Sequence, residues 1–396
     1  MPVVIYVFSL CTFTFGLSEF VVAGLVSSIA EDLTISVTAV GSSIAAYALG
    51  AAIGAPLLTA LFATWRDRSV LLLTLGVLAL GSLALAWVDQ LLPLNLIRFV
   101  IGLAHGVFMA VASNVAVKLV DPTRAGRALS VVWIGLTLSL ALGVPVGTLL
   151  GSVWSWRVIF VALGVLGLFS FLGLRRLMPR QPVSTNGAGL LVSLATILHG
   201  PLLWAASIAM LVSMATFSFF SYVAPFLLEV THGGVRLLSL GMLVFGGCTI
   251  LGNLVGGHAA DRFEINRSLM VALTLLAGNL GLLYLFRHSP SAVLTLVGGL
   301  GVLFFAIVTL STLRILRLSK QLAPSASGVA SGLSIAAFNL GTALGGGLGG
   351  WLIDYLGLSY LPLGGVVVAL FALVIMVAKS KPPSDALPQA APSQDG

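Results

Sequence analysis

Long apolar runs, each closed by a short cluster of charged or turn-forming residues, recur along the whole chain. They predict twelve helices near residues 4–28, 38–63, 69–88, 94–118, 126–150, 157–174, 202–228, 235–260, 267–286, 292–313, 326–353 and 361–378. Crossing about 30 Å of hydrocarbon takes roughly 20 apolar residues, so each run is of spanning length. The longest connection lies between the sixth and seventh runs and opens Arg175-Arg176-Leu177-Met178-Pro179-Arg180. Within it, Leu190 to Leu198 is apolar but about half the crossing length, and is expected to lie at the interface. After Lys379 the chain turns to Pro, Ser and Ala, the composition of a disordered tail. The organisation read from the pattern is a six-helix half over 1–174, a linker over 175–201, a second half over 202–378 and a tail over 379–396. Met1-Pro2-Val3-Val4 has no basic segment ahead of a run too long for a signal peptide, so the first helix is expected to be retained.

The charges between the runs give the orientation, because translocating Lys and Arg is disfavoured. Alternate loops hold Arg66, Arg68, Lys118, Arg124, Arg127, Arg175, Arg176, Arg180, Arg262, Arg267, Arg314, Arg317, Lys320, Lys379 and Lys381, whereas the opposite loops hold Arg157, Arg236 and Arg287. Both termini are therefore expected on the cytoplasmic side of a bacterial inner membrane, which an even number of spans requires.

Composition excludes a water-soluble enzyme. The chain is 59% hydrophobic and 8% charged, against roughly 25% charged in soluble domains. Its net charge of +7 would point to nucleic acid in a soluble protein, but here the basic residues gather at one membrane face, and no nucleic-acid partner is expected. Cys11 and Cys248 both sit in apolar runs with no metal or disulfide spacing. No metal, no cofactor and no catalytic cluster of nucleophile and base is read from the sequence. The expected partners are lipid, protons and a small-molecule substrate, with the chain a monomer.

Two features repeat at nearly one interval. Asp67-Arg68 recurs as Asp261-Arg262, an offset of 194, and Gly143, Gly147 and Gly151 recur as Gly341, Gly345 and Gly349, an offset of 198, which is half of 396. The fold class that follows is all-α and polytopic, with twelve spans in two pseudo-symmetric six-helix halves. Parallel repeats of this kind place a substrate site near the midplane between them, opened alternately by rocking.

Of the acidic residues, Glu19 alone falls in the middle of a span. An ionisable group there costs roughly 2.5–3.5 kcal/mol on insertion scales, so it normally faces inward and serves function, here proton binding and release. The alternative is a permanently protonated acid that donates a packing hydrogen bond. Arg98, Gly102 and His105 fall on one face of the fourth helix, which would set a fixed cation beside titrating groups. Snorkelling of Arg98 to the interface is the competing use. Gly143, Gly147 and Gly151 make a smooth face for close helix packing, and Pro145 removes a backbone donor. Phe217, Phe220, Tyr222 and Phe304 form mixed aromatic and hydroxyl surfaces with their neighbours, suited to a small, partly apolar, uncharged molecule. Aligning Val22-Ala23-Gly24 with Val223-Ala224-Pro225 puts Phe220 at the position equivalent to Glu19, so the halves are chemically unequal.

Several segments resemble a known family. Gly257-His258-Ala259-Ala260-Asp261-Arg262 is similar to the Gly-x-x-x-Asp-Arg loop motif of the major facilitator superfamily. Arg98-Phe99-Val100-Ile101-Gly102-Leu103-Ala104-His105-Gly106 resembles its helix 4 arginine motif, and Gly143-Val144-Pro145-Val146-Gly147-Thr148 its helix 5 antiporter motif. With Ser18-Glu19-Phe20 and Ala337-Phe338-Asn339-Leu340-Gly341, the chain is similar to the twelve-span drug:proton antiporters, including arabinose and sugar efflux permeases and chloramphenicol exporters. It departs at Ala63 and Ser69-Val70-Leu71 in the first-half loop motif, and at Ser139 and the spacing of Pro145 in helix 5. The resemblance implies proton-coupled efflux of a drug or sugar-like metabolite by alternating access, with coupled uptake of a neutral solute as the alternative. Together with the placement of the residues, proton coupling is assigned to Glu19, Arg98 and His105. The substrate pocket is assigned to Phe15, Tyr47, Met109, Phe217, Phe220, Tyr222, Phe304 and Asn339. Gating and structural roles fall to Asp67, Arg68, Gly143, Pro145, Gly147, Gly257, Asp261 and Arg262.

Overall fold

A computed structural model describes residues 1–121, 124–179, 199–322 and 327–380. Twelve long helices follow in order: α1 (Val3–Leu33), α2 (Val37–Thr64), α3 (Asp67–Leu85), α4 (Leu91–Lys118), α5 (Gly126–Val153), α6 (Trp156–Leu177), α7 (Gly200–Phe220), α8 (Gly234–Arg262), α9 (Ile265–Leu285), α10 (Pro290–Leu322), α11 (Ser327–Leu356) and α12 (Leu361–Ser380). Among the described residues, eleven helices are long and apolar enough to cross a membrane. The twelfth, α11, has 30 residues rich in glycine and alanine. All twelve expected spans are present. The expected interfacial segment Leu190–Leu198 and the expected disordered tail lie outside the described residues, save for the few residues of the tail that end α12.

The helices run past the apolar stretches because the backbone ladder needs no apolar side chains; it ends where geometry or a cap ends it. Thus α1 carries on through Glu31 and Asp32 to Thr34, which turns left-handed at φ 52 while its N–H still bonds Ala30 and Glu31 carbonyls. Ser36 accepts the Ala39 N–H at the start of α2, and Glu264 accepts those of Asn266 and Arg267 at the start of α9. Such caps satisfy N–H groups that have no partner inside the helix.

Among the described residues, a wide π turn lies next to a proline at three places: Gly54–Leu58 around Pro56 in α2, Ser139–Gly143 just before Pro145 in α5, and Phe226–Val230 just after Pro225 beyond α7. Proline removes one rung of the hydrogen-bond ladder, and a π turn lets the chain re-form the rest.

Each half repeats one pattern of neighbours. In the first, α2 packs on α4, α1 on α5, and α3 on α6; in the second, α8 packs on α10, α7 on α11, and α9 on α12. The halves meet along two seams, α2 with α11 and α5 with α8. We call the side where α1 begins and α12 ends the terminal face and the opposite side the far face. On the α5–α8 side, contact with α8 runs mainly through Ser139–Val153 and hardly through Ala125–Leu138. That seam is closed toward the far face and parts toward the terminal face.

At the far face, Arg157 bonds Asp32 and also reaches Asp89 at 2.6 Å and the Val88 carbonyl at 3.1 Å, while Trp156 Nε1 donates to Asp32 at 3.0 Å. This cluster ties together the end of α1, the α3–α4 loop and the start of α6.

Candidate transport site

The site is built where α2 crosses α4. Gly50 and Gly54 on α2 face the carbonyls of Phe99 and Leu103, and Gly102 and Gly106 on α4 face those of Tyr47 and Ala51. A Cβ at any of the four would run into the opposing backbone. Paired small residues four apart let two helices approach this closely, and the approach brings Tyr47 over the face of α4 that carries Arg98 and His105.

Arg98 is fully buried. Its Nη1 donates to the Ser18 carbonyl, its Nη2 to the Glu19 carbonyl at 3.4 Å and its Nε to the Ser43 carbonyl at 3.4 Å. The guanidinium lies 4.3 Å from the centre of the Tyr47 ring. A desolvated cation over an aromatic face is attracted by the ring quadrupole, so Arg98 joins α1, α2 and α4 at one point. It does not extend to the interface.

His105 completes the group. Its Nδ1 lies 3.6 Å from Glu19 Oε2 and 3.1 Å from the Tyr47 hydroxyl. The ring stacks on Phe15 at 5.0 Å with an interplanar angle of 8°, and Nε2 is buried with no partner. The Glu19 side chain is 11% exposed, the His105 side chain 5%. The three residues assigned to proton coupling are therefore brought together in space.

One residue along from Glu19, Phe20 stacks with Phe217 at 6.2 Å. Phe217 meets Phe304 edge-on at 5.6 Å, and Phe304 meets Phe338 at 6.3 Å. This aromatic wall joins α1 to α7, α10 and α11 beside the acid. Phe220 is buried behind it, stacked on Phe245 at 4.1 Å. Phe15, Tyr47 and Met109 are likewise buried, Phe15 as the floor beneath His105. Asn339 donates to the Ile335 carbonyl of its own helix at 3.0 Å, and its Oδ1 is unpartnered.

Tyr222 lies elsewhere. Its hydroxyl donates to the Gly346 carbonyl at 3.0 Å, and its ring fits against Gly349 and Gly350 of α11 and Gly41 of α2. It therefore spans the seam between the halves, toward the far face.

The motif residues sit at helix ends and helix contacts. Asp67 lies 4.0 Å from Lys118, Arg68 donates to the Arg175 carbonyl, and Arg317 reaches the Ala260 carbonyl at 3.4 Å, next to the exposed Asp261 and Arg262. Gly143, Gly147 and Gly151 receive Phe13, Leu17, Val21 and Leu25, so the smooth face of α5 is occupied by α1. Gly257 has open space at its Cβ position, whereas Pro145 is buried directly after the π turn of α5. The sequence reading missed the far-face Asp32–Arg157–Asp89 cluster and two of the four glycines at the α2–α4 crossing, Gly50 and Gly54. The four-residue spacing of Gly50 and Gly54, and of Gly102 and Gly106, was the available signal.

A profile of the Major Facilitator Superfamily matches residues 8–333. The chain belongs to the major facilitator superfamily. Within it, the chain is 33% identical to an inner membrane transport protein, YdhP, of Escherichia coli (strain K12) over 378 residues, covering 93% of this chain and 94% of that one. It is 35% identical to a chloramphenicol resistance protein of Streptomyces lividans, covering 87% of this chain and 88% of that one. It is 29% identical to a probable sugar efflux transporter of Helicobacter acinonychis (strain Sheeba), covering 93% of each. Among solved structures, the nucleoside transporter NupG superposes with a TM-score of 0.75 at 14% identity, covering 94% of this chain and 96% of that one. That likeness shows a shared fold. The chain is a multi-pass membrane protein, and several of its relatives are described as transport proteins.

Proposed function

We propose that this superfamily member is a proton-coupled exporter of small organic molecules, drugs or sugar-like metabolites, working by alternating access in a bacterial inner membrane with both termini cytoplasmic. The observation that carries the reading is the position of Glu19. It sits halfway along α1, 3.6 Å from His105 Nδ1, and its neighbour Phe20 packs on the aromatic wall of the other half. Loading or unloading a charge there alters the electrostatics of the first half one residue from a point where the second half touches it. The relatives described as sugar efflux and chloramphenicol resistance proteins support the direction and the substrate class. With the termini cytoplasmic, the parted end of the α5–α8 seam faces the cytoplasm, where an exporter loads. Asp261 and Arg262 lie at that same end and are proposed to steady one conformation.

The test is transport in proteoliposomes under an imposed pH difference. Wild type is expected to accumulate substrate against its gradient, whereas Glu19→Gln, which keeps shape and hydrogen bonding but cannot ionise, exchanges substrate without accumulating it. Accumulation by the glutamine variant equal to wild type would remove Glu19 from the mechanism. Counterflow in inverted vesicles separates export from uptake.

A further inference from the structure

The Tyr47 hydroxyl touches two groups at hydrogen-bond distance: the Phe15 carbonyl at 3.2 Å and His105 Nδ1 at 3.1 Å. A phenol has a single proton to donate, and a carbonyl oxygen can only accept. Both contacts are therefore hydrogen bonds under one assignment alone. The Tyr47 proton points to the Phe15 carbonyl, and His105 donates from Nδ1 to the phenol oxygen. The neutral ring then carries its proton on Nδ1 and leaves the buried, unpartnered Nε2 bare. Which ring nitrogen holds the proton is set by the hydrogen bond the ring makes.

We propose that Tyr47 is a positioning residue that locks His105 in the Nδ1–H tautomer and so blocks transfer of a proton from Glu19 to the neutral His105 ring. This rests on the coupling role given to Glu19 above. The nitrogen facing the carboxyl, at 3.6 Å, is already protonated and cannot accept a proton from it. A proton reaching His105 enters at Nε2, on the other side of the ring, and the resulting imidazolium keeps Nδ1–H toward Tyr47 and Glu19 without moving. The neutral ring therefore takes no proton from Glu19, and a proton passes from Nδ1 to a Glu19 carboxylate only after Nε2 has been protonated. The charged and titratable groups facing the ring are Glu19 from α1, Tyr47 from α2, and, across the Tyr47 ring, Arg98 from α4. Phe15 covers one ring face and fixes its plane.

The tautomer can be read directly. Purified full-length protein labelled with ¹⁵N-histidine has five histidines, and His105→Asn assigns the signal. In wild type at a pH where the ring is neutral, Nδ1 is expected to show the shift of a protonated nitrogen and Nε2 that of a bare one. Tyr47→Phe keeps the ring beneath Arg98 and removes only the hydroxyl. It is expected to shift His105 toward the Nε2–H form, with Nδ1 free to accept from Glu19, and to displace the pH profile of substrate exchange. Wild type in the Nε2–H form, or an unchanged tautomer and pH profile in Tyr47→Phe, would overturn the proposal. Failure of the Glu19 reading is a separate outcome: Glu19→Gln would accumulate substrate like wild type while the wild-type tautomer remained Nδ1–H.

Discussion

Phe20 and Phe217 stack across the two halves at 6.2 Å with an interplanar angle of 26°. Aromatic pairs contribute about 0.5–1.5 kcal/mol beyond their burial, or about a 2- to 13-fold change in an equilibrium at 25 °C. Phe217→Ala is expected to weaken substrate binding by at least that factor, while Phe217→Tyr stays near wild type. Equilibrium binding to the purified protein checks this.

The α2–α4 crossing predicts a contrast between glycines. At Gly102 a Cβ would meet the Tyr47 carbonyl, whereas at Gly76 nothing lies within 4 Å. Gly102→Ala must push Tyr47 away from His105 and Arg98, at the 1–3 kcal/mol typical of overpacking. It is expected to cut transport at least tenfold and lower thermal stability. Gly76→Ala is expected to leave both unchanged, so equal effects at the two positions would refute the tight crossing.

Tyr222 predicts a shift between conformations. Removing its bond to the Gly346 carbonyl in Tyr222→Phe costs the state seen here about 1 kcal/mol, which is about a fivefold change in population. Reactivity of a cysteine at Ala45, on α2 near Gly346, toward a reagent added from the far side should rise by a similar factor. No rise would show that Tyr222 does not hold the seam.

Topology gives the fourth prediction. In intact cells an impermeant thiol reagent should label Asp89→Cys, at the far face, but not Ser184→Cys, in the linker. Labelling in the reverse order would invert the chain and with it the direction in which the α5–α8 seam opens.

Much of the architecture was legible because membrane solvent imposes one demand on every span: an apolar stretch of fixed length with its backbone satisfied internally. Glu19 and the Arg98–His105 face were legible for the same reason, since ionisable groups stand out in such stretches. Tyr47 was read as a pocket residue because its hydroxyl partners depend on how close α2 comes to α4, which no single helix reveals. The acceptors of Arg98 were hidden too. They are the main-chain carbonyls of Ser18, Glu19 and Ser43, and a carbonyl leaves no trace in the residue type. Tyr222 was placed with Phe217 by proximity in the chain, yet it lies beyond the end of α7, where a helix break turns it toward the glycines of the other seam.

The wide turns beside Pro56 and Pro145 have a consequence for how substitutions will be tolerated. One residue inserted into a 3.6-residue turn rotates everything after it by about 100° about the helix axis. Along α2 and α5, positions that share a face before the turn therefore part company after it. A deep mutational scan of these two helices should show a periodic tolerance signal that breaks phase at Gly54–Leu58 and at Ser139–Gly143, while α4, continuous from Leu91 to Lys118, keeps a single phase from end to end.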